Sequence, residues 1–427
     1  MSLLAKFKEL LKNKNFFFLW MAQIISQFGD RLNQMALIAL ISTWAPGSTL
    51  ELAKILSFTI IPVFLIGPVA CSYVDRWDHR RTMISCDFLR SMLVASIAIF
   101  FIRLEDIWPI YIIVFLVFSV SRFFIPAKLA LIPEIVSQEK LLLANSLSST
   151  TGMIAVVAGF GLGGLIVEGI GFGGSFLIDA LTYLISGFFI FMIASKVASY
   201  LKKEGKPIKI LDGEKILKKN IFADIKDGWR YIAEDWDIRF VAQMFFLLWS
   251  AAGAVYVVII VLVQKALGSI TQDLGLLAMF LGLGLFSGSL LYGRFGQRIP
   301  RLRMIFICLG ISGVILSLFT ILLKVFPSTI FAGWLSFILG LAVSPIIISS
   351  QTLIHEVTEE KIRGRIFGSL EIVAYLAFLL FMFLSSYLAE KIGRFWILLS
   401  VGIILSVVGF GAIALKFDRR EIKHGRV

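Results

Sequence analysis

The sequence predicts an all-α membrane protein with 12 transmembrane helices in two six-helix halves. Three observations lead there. Twelve segments are apolar over about the 20 residues that span a bilayer core. Lysine and arginine crowd into every second gap between them. A short motif recurs at an offset of 222 residues, each time where an even-numbered segment ends. Lipid offers backbone amides and carbonyls no partners, so each span must be a helix.

In order, the expected spans are 16–43, 51–73, 82–102, 108–130, 141–168, 172–195, 239–264, 272–293, 303–325, 328–352, 365–389 and 394–416. Lys6, Lys8, Lys12 and Lys14 precede the first. Its apolar part is too long for a signal-peptide core and no small-residue cleavage site follows, so it reads as a membrane helix. Basic residues set the orientation. Outside gaps carry only Lys54, Arg103, Lys265, Lys324, Lys391 and Arg394. Arg76, Arg80 and Arg81 follow span 2; Arg294, Arg298, Arg301 and Arg303 follow span 8; Lys361, Arg363 and Arg365 follow span 10. A multi-pass membrane protein with both termini cytoplasmic is expected. The net charge of +13 reflects this bias and not a nucleic-acid partner.

Three regions follow: a first half at 1–198, a cytoplasmic linker at 199–238, and a second half at 239–427. Within the linker, Ile221, Ile225, Trp229 and Ile232 share one face of an amphipathic piece, read as an interfacial helix. The two halves echo one another. Residues 131–140 read LIPEIVSQEK and 353–362 read LIHEVTEEKI. The same offset lays Asp75-Arg76 over Gln297-Arg298, and Arg81 over Arg303. Parallel halves with a binding site between them are a recognised transporter plan.

Several chemistries are disfavoured. Cys71, Cys86 and Cys308 are isolated, and His79, His355 and His424 fall on cytoplasmic segments, so no metal site is expected inside the membrane. No phosphate-binding loop, nucleophile–base pair or cofactor motif is found. An enzyme is not expected, and no cofactor is called for.

Function is therefore sought in polar residues that interrupt apolar helices, because ionisable groups at bilayer depth are costly. Gln23, Gln27, Asp30 and Gln34 recur at spacings of 4, 3 and 4 on span 1 and share a face. A polar stripe of this kind is expected to face a water-filled cavity, with Asp30 binding substrate or carrying a proton. A salt bridge from Arg31 or Arg122 is the structural alternative, and the two are compatible. Arg31 is one residue off the stripe. Arg122 suits an anionic substrate group or a bridge to Asp30. Glu371 and Tyr375, one turn apart on span 11, are the second-half candidates. Gly159, Gly161, Gly163 and Gly164 on span 5, and Gly282, Gly284 and Gly288 on span 8, read as helix-packing positions.

Taken in order along the chain, these residues resemble a known family. Asn15-Phe16 and Leu19-Trp20 lead into Ser26-Gln27-Phe28-Gly29-Asp30-Arg31. Asp75-Arg76-Trp77-Asp78-His79-Arg80-Arg81 follows, then Asp87 and Arg90. Next come Phe124-Ile125-Pro126-Ala127-Lys128, Pro133-Glu134, Ala144-Asn145-Ser146-Leu147 and Phe176-Leu177-Ile178-Asp179-Ala180. The whole chain resembles the major facilitator superfamily, and within it the branch of macrolide-efflux proteins, the enterobactin exporter and the lysophospholipid transporter. The signature between spans 2 and 3 departs from the usual D-R-x-G-R-[RK] by one inserted residue, with Asp78-His79 in place of the glycine. Cys71 stands where glycine is common.

The resemblance implies the major facilitator fold and alternating access. It also implies a cytoplasmic gate of Asp75, Arg76, Arg80, Arg81, Asp87, Arg90 and Glu134 that latches the halves, and a role in packing, capping or transport for Asp179. The expected function is secondary active, proton-coupled efflux of amphipathic or hydrophobic small molecules. The alternatives are a lysophospholipid transporter or flippase, then a divalent-metal exporter or a non-transporting membrane receptor. Expected partners are the small-molecule or lipid substrate, protons as coupling ion, and membrane lipids.

Overall fold

The computed structural model describes residues 3–101, 106–194, 229–296, 299–358 and 363–415. No strand occurs among the described residues. Among the described residues, nine helices are long and apolar enough to cross a membrane, or ten if one bent pair counts as a single span.

The chain begins with a helix the hydropathy pattern did not predict, α1 (Leu3–Leu11). Leu10 anchors it in the core, and Glu9 pairs with Lys140 at 2.7 Å. The Asn13 amide that follows donates to the Ile135 carbonyl at 2.8 Å. The first expected span is α2 (Lys14–Trp44). The second is broken into α3 (Thr49–Leu65) and α4 (Gly67–Val74), bent by 46°. Proline explains the break. Pro62 removes one internal donor, and a further proline opens α4, where a missing amide proton is tolerated.

Spans 3 and 4 are α5 (His79–Phe101) and α6 (Trp108–Ile135). Spans 5 and 6 run on as α7 (Gln138–Phe191), 54 residues with one interruption at Gly171. That residue has φ +75° and ψ 169°, a conformation essentially reserved for glycine. Nothing lies within 4 Å of a Cβ added there, so the constraint is backbone alone. Gly171→Ala is expected to cost about 1–3 kcal/mol, read as a lowered melting temperature of the purified protein. An unchanged melting temperature would show that the turn is not under this constraint.

The remaining helices are α8 (Trp236–Leu267), α9 (Gln272–Phe295), α10 (Arg301–Val325), α11 (Thr329–Val357), α12 (Arg363–Ile392) and α13 (Arg394–Ala414). Of the expected linker, Ile221 and Ile225 lie outside the described residues, whereas 229–234 is helical. Ile232 is buried there with Ile238 and Val241, while Trp229 is exposed.

Two compact units result: Met1–Leu40 with Ile55–Lys219, and Ile41–Lys54 with Asn220–Val427. The second therefore includes a piece of the first half. Its anchors are Thr49, whose hydroxyl donates to the Ser386 carbonyl at 2.9 Å, and Ser48, which donates to Glu390 at 2.7 Å. Gln264 donates to Ser42 at 2.8 Å.

In the first unit α5 packs on α6 and α7. Gly159 and Gly163 of α7 close onto Arg31 and Leu32 of α2. In the second unit the tight pairs are α9 with α11, α10 with α13, and α8 with α12. Each is built on glycine against backbone. Gly284 meets Phe337 and Gly340, Gly313 meets Gly402, and Gly253 meets Phe378. Close backbone approach of this kind drives association where no water is available to expel.

One feature ties the two units to the repeat seen in the sequence. His79 Nδ1 lies 2.6 Å from Glu134 Oε1 in the first unit, and Arg301 pairs with Glu356 in the second. Both partners are displaced by the same 222 residues that separate LIPE from LIHE. A base in the first turn of one helix meets a glutamate near the end of the next, twice.

Candidate functional site: a charged cluster in the first unit

Asp30 sits near the middle of α2, and its side chain is 35% exposed. Its Oδ1 accepts a hydrogen bond from the Tyr183 hydroxyl of α7 at 2.5 Å and lies 4.0 Å from the Arg90 guanidinium of α5. Arg90 also pairs with Asp87, one helical turn before it. Ser186 Oγ donates to the other oxygen of Asp87 at 2.7 Å. The guanidinium lies over two aromatic faces, with Phe124 at 4.4 Å and Tyr183 at 4.3 Å to the ring centres. Arg90, Asp87 and Asp179 are all buried. Lys128 of α6 lies within electrostatic reach of Asp30.

Asp179 is the second anchor between α2 and α7. It accepts from the Asn33 amide at 2.7 Å and from Thr182 at 3.2 Å. A Cβ on Gly29 would strike Thr182 and Asp179, so glycine lets the two helices meet at this level. The cluster thus sets three carboxylates, Asp30, Asp87 and Asp179, against two cations, Arg90 and Lys128. With every group ionised, one negative charge is in excess. Of the three acids, Asp30 is the exposed one.

Two glutamines of the polar stripe on α2 turn to α7. Gln23 is buried, donates to the Ser148 carbonyl at 2.8 Å and accepts from the Ser148 hydroxyl. Gln27 lies beside Gly152. Arg31 does not serve Asp30: it donates to Gln34 at 3.0 Å and stacks over Phe160. Arg122 is partly buried on α6. On α12, in the second unit, Glu371 is exposed and Tyr375 packs on Trp249 at 5.9 Å.

The expected cytoplasmic group separates. Asp87 and Arg90 leave it for the Asp30 cluster, because they lie two to three turns into α5 and face α7. Arg80 donates to the Ile190 carbonyl at 3.2 Å and to that of Phe191, placing a cation on the orphan carbonyls at the C-terminus of α7. Glu134 pairs with His79. Asp78 caps α5 by accepting from the Arg81 amide at 2.7 Å. Asp75 and Arg76 are exposed after α4. The sequence reading passed over Tyr183, Asn33 and Ser186. A helical period was available to find Tyr183 and Ser186, since Asp179, Thr182, Tyr183 and Ser186 share one face of α7.

A polytopic helical bundle holding a buried charge cluster is the architecture of a membrane transporter. The comparisons agree. The model for the family described as transmembrane secretion effector matches residues 7–424. Macrolide efflux protein A of Streptococcus pyogenes is 23% identical over 409 residues, covering 92% of this chain and 94% of that one. The putative bacilysin exporter BacE of Bacillus subtilis is 27% identical over 371 residues, covering 85% of each. The inward-facing crystal structure of a bacterial homologue of the iron transporter ferroportin shares the fold, with a TM-score of 0.72 at 16% identity over 96% of this chain and all of that one. The chain belongs to the transmembrane secretion effector family of the major facilitator superfamily, in its macrolide-efflux branch.

Proposed function

We propose that the protein is a proton-coupled exporter of amphipathic or hydrophobic small molecules, working by alternating access from the bacterial inner membrane. The observation that carries this reading is Asp30, a one-third exposed carboxylate in an apolar helix, held between the Tyr183 hydroxyl and a guanidinium shared with Asp87. With Arg90 largely engaged by Asp87, Asp30 is the site where the excess negative charge meets water. A proton satisfies it on one side of the membrane. On the other side the proton leaves, and the carboxylate is free to hold a polar or cationic part of the substrate. Proton and substrate then compete for one group, which is the requirement for exchange. Tyr183 keeps the carboxylate oriented in either state.

The test is export of a macrolide by proteoliposomes under an imposed pH gradient. Asp30→Asn is expected to insert and fold normally and to lose gradient-driven export by at least an order of magnitude, since one pH unit of drive is worth about 1.4 kcal/mol per proton. Export by this variant at the parent rate removes the role of Asp30. Uptake of spin-labelled lysolipid that ignores the gradient would support the lipid transporter instead.

A further inference from the structure

A separate feature lies wholly within the second unit. A cavity of about 320 Å³ opens among α8, α10, α11 and α13, lined by Trp249, Ser312, Leu316, Val343, Ser350 and Leu405 among others. The size is at the lower end of small-molecule pockets, about 300–1,000 Å³. Its wall is almost entirely hydrocarbon and aromatic. Three polar side chains interrupt it: the exposed Gln351 and the buried hydroxyls of Ser312 and Ser350. Ser312 and Ser350 are 4% and 6% exposed, and neither Oγ has a hydrogen-bond partner.

Ser250 and Ser386 of this unit also lack a partner, but Ser312 and Ser350 are the two such hydroxyls that line this cavity. Hydroxyls on the same helices fold back to the carbonyl one turn earlier: Ser317 to Gly313 at 2.9 Å, Thr320 to Leu316 at 2.8 Å, Thr352 to Ile348 at 2.8 Å and Ser406 to Gly402 at 2.9 Å. Ser312 and Ser350 make no such bond. A buried donor without an acceptor is destabilising, and each instance calls for an explanation. Donors on two different helices, both on the wall of one apolar cavity, are explained by a guest that brings the acceptors.

We infer that this cavity is a binding site for a neutral, mainly apolar small molecule that carries a carbonyl or ether oxygen accepting from Ser312 and Ser350. An acyl chain of the surrounding lipid fits the hydrocarbon wall but leaves both hydroxyls unanswered. A charged ligand fits neither. The inference concerns residues remote in sequence from Asp30, and it stands or falls without the proton-coupling proposal.

The probe is prodan, a neutral naphthalene ketone whose emission moves to longer wavelength when its carbonyl accepts a hydrogen bond. Full-length protein in nanodiscs is titrated with prodan, against empty nanodiscs, with no gradient. Saturable binding is expected. In the Ser312→Ala/Ser350→Ala variant affinity is expected to fall roughly tenfold, as for two lost hydrogen bonds, and the bound emission to shift to shorter wavelength. Val343→Phe is expected to fill the cavity and abolish saturable binding. Partition without saturation overturns the inference, and so does saturable binding indifferent to all three substitutions. Binding that Val343→Phe removes but the serine pair leaves unchanged assigns the cavity to an acyl chain and overturns it too. Prodan binding by a protein that shows no gradient-driven export upholds this site and removes the proposed function. Export without prodan binding does the reverse.

Discussion

Arg90→Ala is expected to unfold the first unit at temperatures where the parent is intact. Removing one partner of a buried ion pair costs about 3–5 kcal/mol, because the other charge remains buried. Here the stranded charge is Asp87, wholly enclosed, with Ser186 alone among the described residues left to donate to it. Two aromatic faces lose their cation as well. For a unit of this size the drop in melting temperature is roughly 10 °C, measured on purified protein in detergent. Arg90→Lys is expected to recover little, since a compact ammonium does not replace a planar guanidinium between two rings and two carboxylates. Pairing Arg90→Met with Asp87→Asn removes both charges and is expected to restore much of the loss. If Arg90→Ala melts with the parent, the pair is not what holds α5 to α7.

Gly284→Val is expected to abolish the folded second unit. A Cβ at Gly284 lands on the backbone of Phe337 in α11, and one at Gly340 lands on the backbone of Leu281 in α9. No rotamer relieves a clash with main chain, so the helices must separate along their contact. Even the single methyl of Gly284→Ala is expected to cost about 1–3 kcal/mol. Gly293 supplies the control on the same helix, since nothing lies within 4 Å of an added Cβ. Gly293→Ala is expected to be neutral or slightly stabilising, because alanine favours the helix by about 1 kcal/mol. The two substitutions differ only in what the methyl meets. Equal yields of folded protein, by size-exclusion chromatography, would refute the packing argument.

Hydropathy made the helices legible because membrane spans are specified by length and apolarity, both read directly from residues. Helix breaks were harder. Pro62 and Pro68 were visible, but only packing decides whether a proline bends a helix or divides it. The small-residue contacts of α9 were signalled by Gly284 and Gly288, whereas Gly313 and Gly402 lie on different helices and become a pair only in space. The same limit governs the charged cluster. Asp30 stood out as an acid in an apolar run. Arg90 did not: close to a cytoplasmic loop, it reads as part of the cytoplasmic gate until the register of α5 turns it inward. Tyr183 carries no formal charge and gave no electrostatic signal, yet it is the group that fixes the Asp30 carboxylate.

The attachment of residues 41–54 to the second unit bears on any attempt to divide the polypeptide. A cut in the linker looks natural from the sequence, which predicts six spans on either side. Such a cut leaves the amino-terminal fragment carrying Ser48 and Thr49 without their acceptors, and deprives its counterpart of the groups that cap Ser386 and Glu390. Neither fragment is then self-sufficient. Co-expressed as separate polypeptides, they complete one another in the manner of an exchanged arm.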